Sequence, residues 1–438
     1  MASDLTHARV LRIAGPIVLS NATVPLLGIV DTAVVGQLGQ AAPIGAVGLG
    51  AVILTSIYWV FGFLRMGTTG LTAQAAGAGR DGEVVALLSR ALMIGLGAGV
   101  AIIALQVALF AGAFTVSPAS AEVEALARDY MAIRVWSAPA LIALYGITGW
   151  LVAQERSTGV LIIQVAMNGM NILLDVVFVL GFDWGVSGVA LATFLAEWTG
   201  FAIGLYLCRS AFAVPAWRDW SRVMDRAALV NMASVNGDIL LRSLLLQAIF
   251  VSFLFFGARF GDVQLAANHI LMQFLQVTAY AMDGFAFAAE ALVGQAMGGR
   301  SVQRLRRGAI LTSVWAGAVG CVLALGFAIL GPGIVALMAT NTDVQEAAVA
   351  FLPYMIAAPI VGVASWMFDG IFIGATRTRD MRNMMLISAV VYFAAVIPLM
   401  QAFGNHGLWI GLSISFVIRG ATLAWKYPGI ERQAAQPS

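Results

Sequence analysis

Asp31 and Asp175 each lie inside an apolar stretch long enough to cross a bilayer, near 10–36 for the first and 159–180 for the second. A carboxylate at the centre of a membrane helix costs roughly 2.5–3.5 kcal/mol on insertion scales. It persists where it faces a cavity, binds a cation or carries a proton, and all three point to ion-coupled transport. The plain alternative is a buried hydrogen bond that only fixes helix packing; two such acids in one half of the chain weigh against it. Asn168, Asn171 and Asp175 are spaced three and four apart, so on a helix they share a face. Amide oxygens with a carboxylate can coordinate a small cation or hydrogen-bond a protonated acid, and Thr193 in the next apolar run adds a hydroxyl. Hard oxygen ligands suit Na⁺ or a protonation site rather than a transition metal. Interhelical clamping by Asn and Thr is the competing explanation, at about 0.6 kcal/mol each. Close carboxylates in apolar surroundings cannot both ionise easily, which favours H⁺ over Na⁺ as the coupling ion.

The second half carries charges of its own. Asp238 and Arg242 are four apart and can pair on one helix face. Asp283 and Glu290 are seven apart and share a face; Asp369 and Arg419 lie in later runs, and Arg65 in an early one. Such charges must pair or meet water. Together they are expected to form a second-half polar network, which a structural salt-bridge lattice explains as well as a transport pathway does. Met272, Phe274, Met282, Phe285 and Phe287 suit a promiscuous apolar site, and suit core or lipid contact better. The three histidines, His7, His269 and His406, are scattered, and Cys208 and Cys321 offer neither a disulfide framework nor metal spacing. No metal and no cofactor are expected. The glycine-rich segments at Gly77 and Gly298 have no strand before them and no Lys-Ser/Thr after them, so they are not phosphate loops.

The elements that must position these groups follow from composition. The chain has 438 residues, 61% hydrophobic and 11% charged, under half the roughly 25% charged content of soluble domains. Only helices or closed barrels satisfy the backbone in lipid, and the apolar runs far exceed the roughly 10-residue segments of a barrel strand. About twelve helical spans are expected, near 10–36, 45–76, 84–114, 122–154, 159–180, 187–208, 225–257, 263–296, 304–329, 345–374, 382–402 and 407–427. Pro16 and Pro25 fall in the first, and each removes a backbone donor and clashes one turn back; that helix is expected to bend before Asp31. Gly95-x-x-x-Gly99 permits close helix approach.

Lys and Arg concentrate in alternate loops, from Arg80 and Arg90 through Arg156, Arg209–Arg226, Arg300–Arg307 and Arg377–Arg382 to Arg432. The positive-inside rule then puts the end of every even-numbered span, and both termini, in the cytoplasm. The N-terminus shows no cleavage site closing a signal peptide, so the first span is expected to be retained. A basic segment with Pro215, Trp217 and Trp220, suited to lying at the headgroups, marks the midpoint. Around it the chain repeats: Gln74 matches Gln295 (295 − 74 = 221), Arg80 matches Arg300 (300 − 80 = 220), Arg156 matches Arg377 (377 − 156 = 221), and Glu197 falls at Arg419 (419 − 197 = 222). The expected organisation is a lobe over 1–210, a linker over 211–226 and a second lobe over 227–438. Even-numbered halves relate by an axis along the membrane normal, and rocking them gives alternating access.

Several motifs resemble the MATE family (multidrug and toxic compound extrusion), and within it the bacterial DinF branch. They are Asp31-Thr-Ala-Val-Val-Gly-Gln-Leu-Gly39, Phe63-Leu-Arg-Met-Gly-Thr-Thr-Gly-Leu-Thr-Ala-Gln74, Asn171-Ile-Leu-Leu-Asp175, Asp238-Ile-Leu-Leu-Arg-Ser-Leu-Leu-Leu-Gln247, Ala279-Tyr-Ala-Met-Asp-Gly-Phe-Ala-Phe-Ala-Ala-Glu290, Asp369-Gly-Ile-Phe-Ile-Gly-Ala-Thr-Arg377 and Gly404-Asn-His-Gly-Leu-Trp409. The resemblance covers nearly the whole chain. It implies an all-α membrane protein of twelve helices in two six-helix lobes, exporting organic cations or amphipathic compounds in exchange for H⁺ or Na⁺. It implies that Asp31 is the proton-linked residue, that Asn171, Asp175 and Thr193 belong to its site, and that Pro16 is the bend. In another branch acids of the seventh and tenth spans bind the coupling cation, and Asp238 and Asp369 lie in those spans.

The expectation is therefore a multi-pass antiporter of the bacterial inner membrane, a monomer in the bilayer, handling small organic cationic or amphipathic substrates and no nucleic acid. A flippase for lipid-linked precursors would want a cationic central cavity; Arg65, Arg242 and Arg419 give that some substance, though each has an acid to pair with. A membrane enzyme would need a catalytic cluster such as His-Glu-x-x-His and a channel a ring of like charges; neither pattern occurs, so the chain is not expected to be an enzyme.

Overall fold

A computed structural model describes residues 5–37, 40–116 and 120–436. Leu38 and Gly39, the end of the first motif, lie outside the described residues. Twelve long helices follow one another. They are α1 (His7–Gly36), α2 (Ala41–Gly77), α3 (Asp81–Val116), α4 (Ala121–Ala153), α5 (Ser157–Gly181), α6 (Gly185–Leu207), α7 (Arg226–Phe260), α8 (Asp262–Gly298), α9 (Val302–Met338), α10 (Thr342–Gly374), α11 (Thr378–Phe403) and α12 (Asn405–Ala434). Eleven are long and apolar enough to cross a membrane. The exception is α8, a 37-residue helix whose apolar run is interrupted by Asn268, His269, Gln273, Gln276, Asp283 and Glu290. Among the described residues there are no strands, as lipid demands.

The helices start and stop for local reasons. Ser120, Ser301 and Asn341 each accept a backbone N–H at a helix start, satisfying donors the helix cannot. Between α6 and α7, two short helical turns, Arg209–Phe212 and Trp220–Val223, flank Pro215–Arg218. The buried Arg90 of α3 donates to the carbonyls of Val223 (2.8 Å) and Arg222 (2.6 Å), and Ser89 to that of Trp217 (2.8 Å). This segment is thus tied to α3 through its backbone carbonyls.

The contacts divide the chain into two compact units. The first-half unit holds Leu19–Thr72 and Arg80–Asn231; the second-half unit holds Met232–Ser438 together with the chain up to Val18 and Ala73–Gly79. The division inside α1 falls two residues after Pro16. In the first-half unit α3 packs on α4 at bare backbone. A Cβ on Gly99 would stand 2.2 Å from Pro139 Cα, and one on Gly95 2.6 Å from Ala143 Cα. We expect Gly99→Ile to force these helices apart and to destabilise the protein by about 1–3 kcal/mol, the usual cost of overpacking. The measurement is the unfolding midpoint of the purified protein; an unchanged midpoint would contradict this packing.

The second-half unit has an aromatic core around Phe253, Phe351, Tyr392 and Trp409. Asn268 and Asn405 exchange side-chain hydrogen bonds there (2.8 and 2.9 Å), and Trp409 Nε1 donates to Asn268 (3.0 Å). The repeat is written into the backbone as well. Left-handed residues recur at one offset: Gly79 and Arg300 (300 − 79 = 221), Glu155 and Thr376 (376 − 155 = 221), Asp183 and Gly404 (404 − 183 = 221). Within the second-half unit the matched ends of α2 and α8 meet reciprocally. A Cβ on Gly77 would stand 2.0 Å from the Gln295 carbonyl, and one on Gly298 would stand 2.0 Å from the Gln74 carbonyl.

Candidate functional site

The first-half unit builds one polar centre from α1 and α5. Asn171 Nδ2 donates to Asp31 Oδ1 at 2.9 Å and to Asp175 Oδ2 at 2.6 Å. One amide nitrogen thus bridges the two carboxyls. Asn171 and Asp175 are buried, and Asp31 is half-buried. Asn171 Oδ1 and Asp175 Oδ1 are enclosed without a hydrogen-bond partner, leaving two oxygens able to accept a hydrogen bond or a cation. Directly after Asp175 the helix widens into a π turn over Val176–Gly181, a distortion common where a helix serves function rather than packing.

A second rung stitches the same two helices about two turns away. Asn168 Nδ2 donates to the Thr23 hydroxyl (2.9 Å) and carbonyl (3.2 Å), and Gln164 donates to Asn168 Oδ1 (2.9 Å). The spacing of Asn168, Asn171 and Asp175 thus presents one face of α5 to α1. Thr193 is buried on α6, but its hydroxyl donates to the Val189 carbonyl of its own helix at 3.1 Å. Its proton is therefore committed to the backbone rather than to either carboxylate.

The repeat shows that this centre exists in one half only. At an offset of 221, Ser252, Tyr392 and Val396 stand for Asp31, Asn171 and Asp175. Ser252 Oγ donates to Tyr392 Oη at 3.4 Å, so the contact survives without charge or carboxylate.

The sequence reading missed a second buried group in the first-half unit. Arg134, within the expected span 122–154, is not singled out there, yet it is buried inside α4 and pairs with Glu197 of α6 at 2.9 Å. Ser137 Oγ also donates to Glu197, and Arg134 Nη1 to Tyr130 Oη at 3.1 Å. Arg134 and Glu197 act electrostatically on Asp31. The missed signal is Glu197 itself, an acid within an apolar run, which the rule that singles out Asp31 also covers.

In the second-half unit the expected Asp238–Arg242 pair does not form. Asp238 accepts from Arg382 Nη1 (2.6 Å) and Thr378 Oγ1 (3.2 Å) of α11. Arg242 pairs instead with Asp369 of α10, which Arg419 of α12 also approaches at 3.8 Å. A pair four apart on one helix contributes only about 0.2–0.5 kcal/mol, so partners on neighbouring helices, which also join the helices, win. The expected network is therefore two groups, Asp238–Arg382–Thr378 and Arg242–Asp369–Arg419. Glu290 is buried and Asp283 half-buried on α8. Arg65 sits on α2 in the first-half unit.

Bundled long helices around an intramembrane acid centre define a membrane transporter rather than a soluble scaffold, and solved structures share the whole architecture. A multidrug resistance MATE family transporter of the MOP superfamily in an outward-facing conformation superposes with a TM-score of 0.87, at 18% identity, over 98% of this chain and 97% of that one. A MATE in the bent conformation superposes with a TM-score of 0.88, at 20% identity, over 98% and 97%. In sequence, the MatE family model matches residues 16–177 and 239–397. DNA damage-inducible protein F of Escherichia coli is 38% identical over 419 residues, 94% of this chain and 90% of that protein. A probable multidrug resistance protein NorM of Synechococcus is 26% identical over 451 residues, 95% and 92%. The chain belongs to the MatE family of multidrug efflux transporters.

Proposed function

We propose that this protein exports small organic cations or amphipathic compounds in exchange for H⁺, with Asp31, Asn171 and Asp175 as the coupling centre. The observation that carries the reading is the single amide that binds both carboxyls. One proton shared between the carboxyls makes that arrangement favourable; without it two anions face each other across one neutral amide. Losing or gaining that proton changes the attraction between α1 and α5. The relative described as a multidrug resistance protein supports organic substrates.

In this reading the lobes are residues 1–210 and 227–438, joined by the linker 211–226, and they alternate access by rocking. Pro16, two residues before the division in α1, and Pro25 give that helix its bend. The protein sits as a monomer in the bacterial inner membrane with both termini in the cytoplasm, the side that its Lys and Arg favour. Each pH unit supplies about 1.36 kcal/mol per proton, so exchange of one monovalent cation for one proton is driven about tenfold per unit and is indifferent to membrane potential. Na⁺ is the second reading, favoured by the two unpartnered oxygens of Asn171 and Asp175.

The deciding experiment is efflux of a fluorescent organic cation from sealed vesicles carrying a pH gradient and no Na⁺. Movement under those conditions is the expected result; movement only after a Na⁺ gradient is added would overturn the proton assignment. In the same vesicles Asp175→Asn should slow coupled efflux at least tenfold and Thr193→Ala less than threefold, because a charged hydrogen-bonding group contributes about twice a neutral one and the Thr193 proton already serves its own helix. Equal losses would place Thr193 in the centre.

A further inference from the structure

The buried ion group of the second-half unit does not balance. Arg242 and Arg419 share one acid, Asp369, and the side chains are no more than 9% exposed. Arg242 lies 16 residues into α7 (242 − 226) and Arg419 14 residues into α12 (419 − 405). At 1.5 Å per residue these depths are about 24 and 21 Å, well inside the span. Asp369 attracts Arg419 and Arg242 repels it, so within this group two arginines face one carboxylate, an excess of one positive charge. Arginine does not escape burial by losing its proton, and an uncompensated buried charge is costly. The contrast lies in the first-half unit, where Arg134 meets Glu197 one to one.

Hydrogen bonding in the group leaves two donors and one acceptor unused. Arg419 Nη2 donates to Ser365 Oγ at 2.8 Å, a neutral partner. The Nε–H groups of both arginines are enclosed with no acceptor, and Asp369 Oδ1 is enclosed with no donor. Two unused donors beside an excess positive charge are the makings of an anion site. A water could accept from one of them but would not cancel the charge.

We propose that the Arg242–Asp369–Arg419 group binds a small monovalent anion within the second-half unit, either a halide or the carboxylate of an organic solute. One excess charge matches a monovalent anion, whereas a diphosphate would overshoot it. The inference stands apart from the proton reading of Asp31, because it uses other residues in the other unit. A carboxylate-bearing occupant would extend the cargo of the exporter to zwitterions; a halide would be a resident counter-ion.

The test is thermal unfolding of the purified full-length protein in sodium isethionate, a bulky sulfonate, with chloride or acetate exchanged in at constant ionic strength. The expected result is a saturable rise of several degrees in the unfolding midpoint, since a ligand that binds only the native state stabilises it by mass action. A rise with chloride alone identifies the halide, and a rise with acetate identifies the carboxylate. Arg419→Met leaves a neutral Arg242–Asp369 pair and should fold without the response. Asp369→Asn raises the excess to two charges and should deepen the dependence on the anion. No saturable rise in the wild-type protein would overturn the proposal on its own, and so would an undiminished response in Arg419→Met.

Discussion

Asp31→Asn abolishes gradient-driven export and leaves the protein folded in the membrane. The expectation separates two roles that one side chain plays. An asparagine at position 31 keeps an oxygen to accept from Asn171 Nδ2, now at 2.9 Å, so the rung between α1 and α5 survives. The Asn168–Thr23 rung is untouched. What disappears is the group that can carry a proton or balance a cation. Efflux from vesicles with an imposed gradient should fall to that of protein-free vesicles, while gel filtration in detergent shows a wild-type profile. Wild-type efflux from this variant would remove Asp31 from the coupling step. An aggregated variant would show instead that the carboxylate serves packing.

The second large effect concerns stability. Arg134→Met leaves Glu197 buried opposite a thioether, and breaking one side of a buried pair costs about 3–5 kcal/mol. Glu197→Leu strands Arg134 at a similar cost. The double variant removes both charges together, and apolar replacement of a whole buried pair is often neutral. The double variant should therefore unfold near the wild-type midpoint although each single variant falls well below it. A double variant as unstable as the summed singles would mean that the two residues do not stabilise each other. Because Arg134 and Glu197 act on Asp31 through space, the double variant is also expected to alter the pH profile of efflux without abolishing it.

These centres were unequally legible in the sequence. Asp31, Asn171 and Asp175 stand out because a polar side chain is conspicuous in an apolar run and helical spacing fixes which of them share a face. Arg134 was hidden by its neighbourhood. The start of α4 carries Glu122, Glu124, Arg128 and Asp129, so one more charge there is inconspicuous, and the point at which the helix becomes buried is set by packing. Thr193 was over-read, since a hydroxyl can satisfy itself on the preceding turn of its own helix. Pairing was the least legible feature. Asp238 finds Arg382, 144 residues away, in preference to a neighbour four positions on, and no local pattern encodes which helices stand side by side. The twelve long helices and the repeat were legible because hydropathy and a constant offset are properties of the chain alone. The polarity of α8 fits the same logic: Asn268 is bonded inside the core to Asn405 and Trp409.

The meeting of Gly77 with Gln295 and of Gly298 with Gln74 has a consequence for how such a chain arose. A surface patch that touches its own counterpart is isologous, the arrangement that closes a two-fold homodimer. Two separate half-length chains would dock at this crossing with each glycine accommodating the other copy's backbone, and one substitution in their common gene would wedge the crossing twice. Fusion into a single polypeptide frees two copies to differ. Here the second half carries Ser252, Tyr392 and Val396 where the first carries its acid centre, while the glycine crossing, which serves both halves at once, is symmetric.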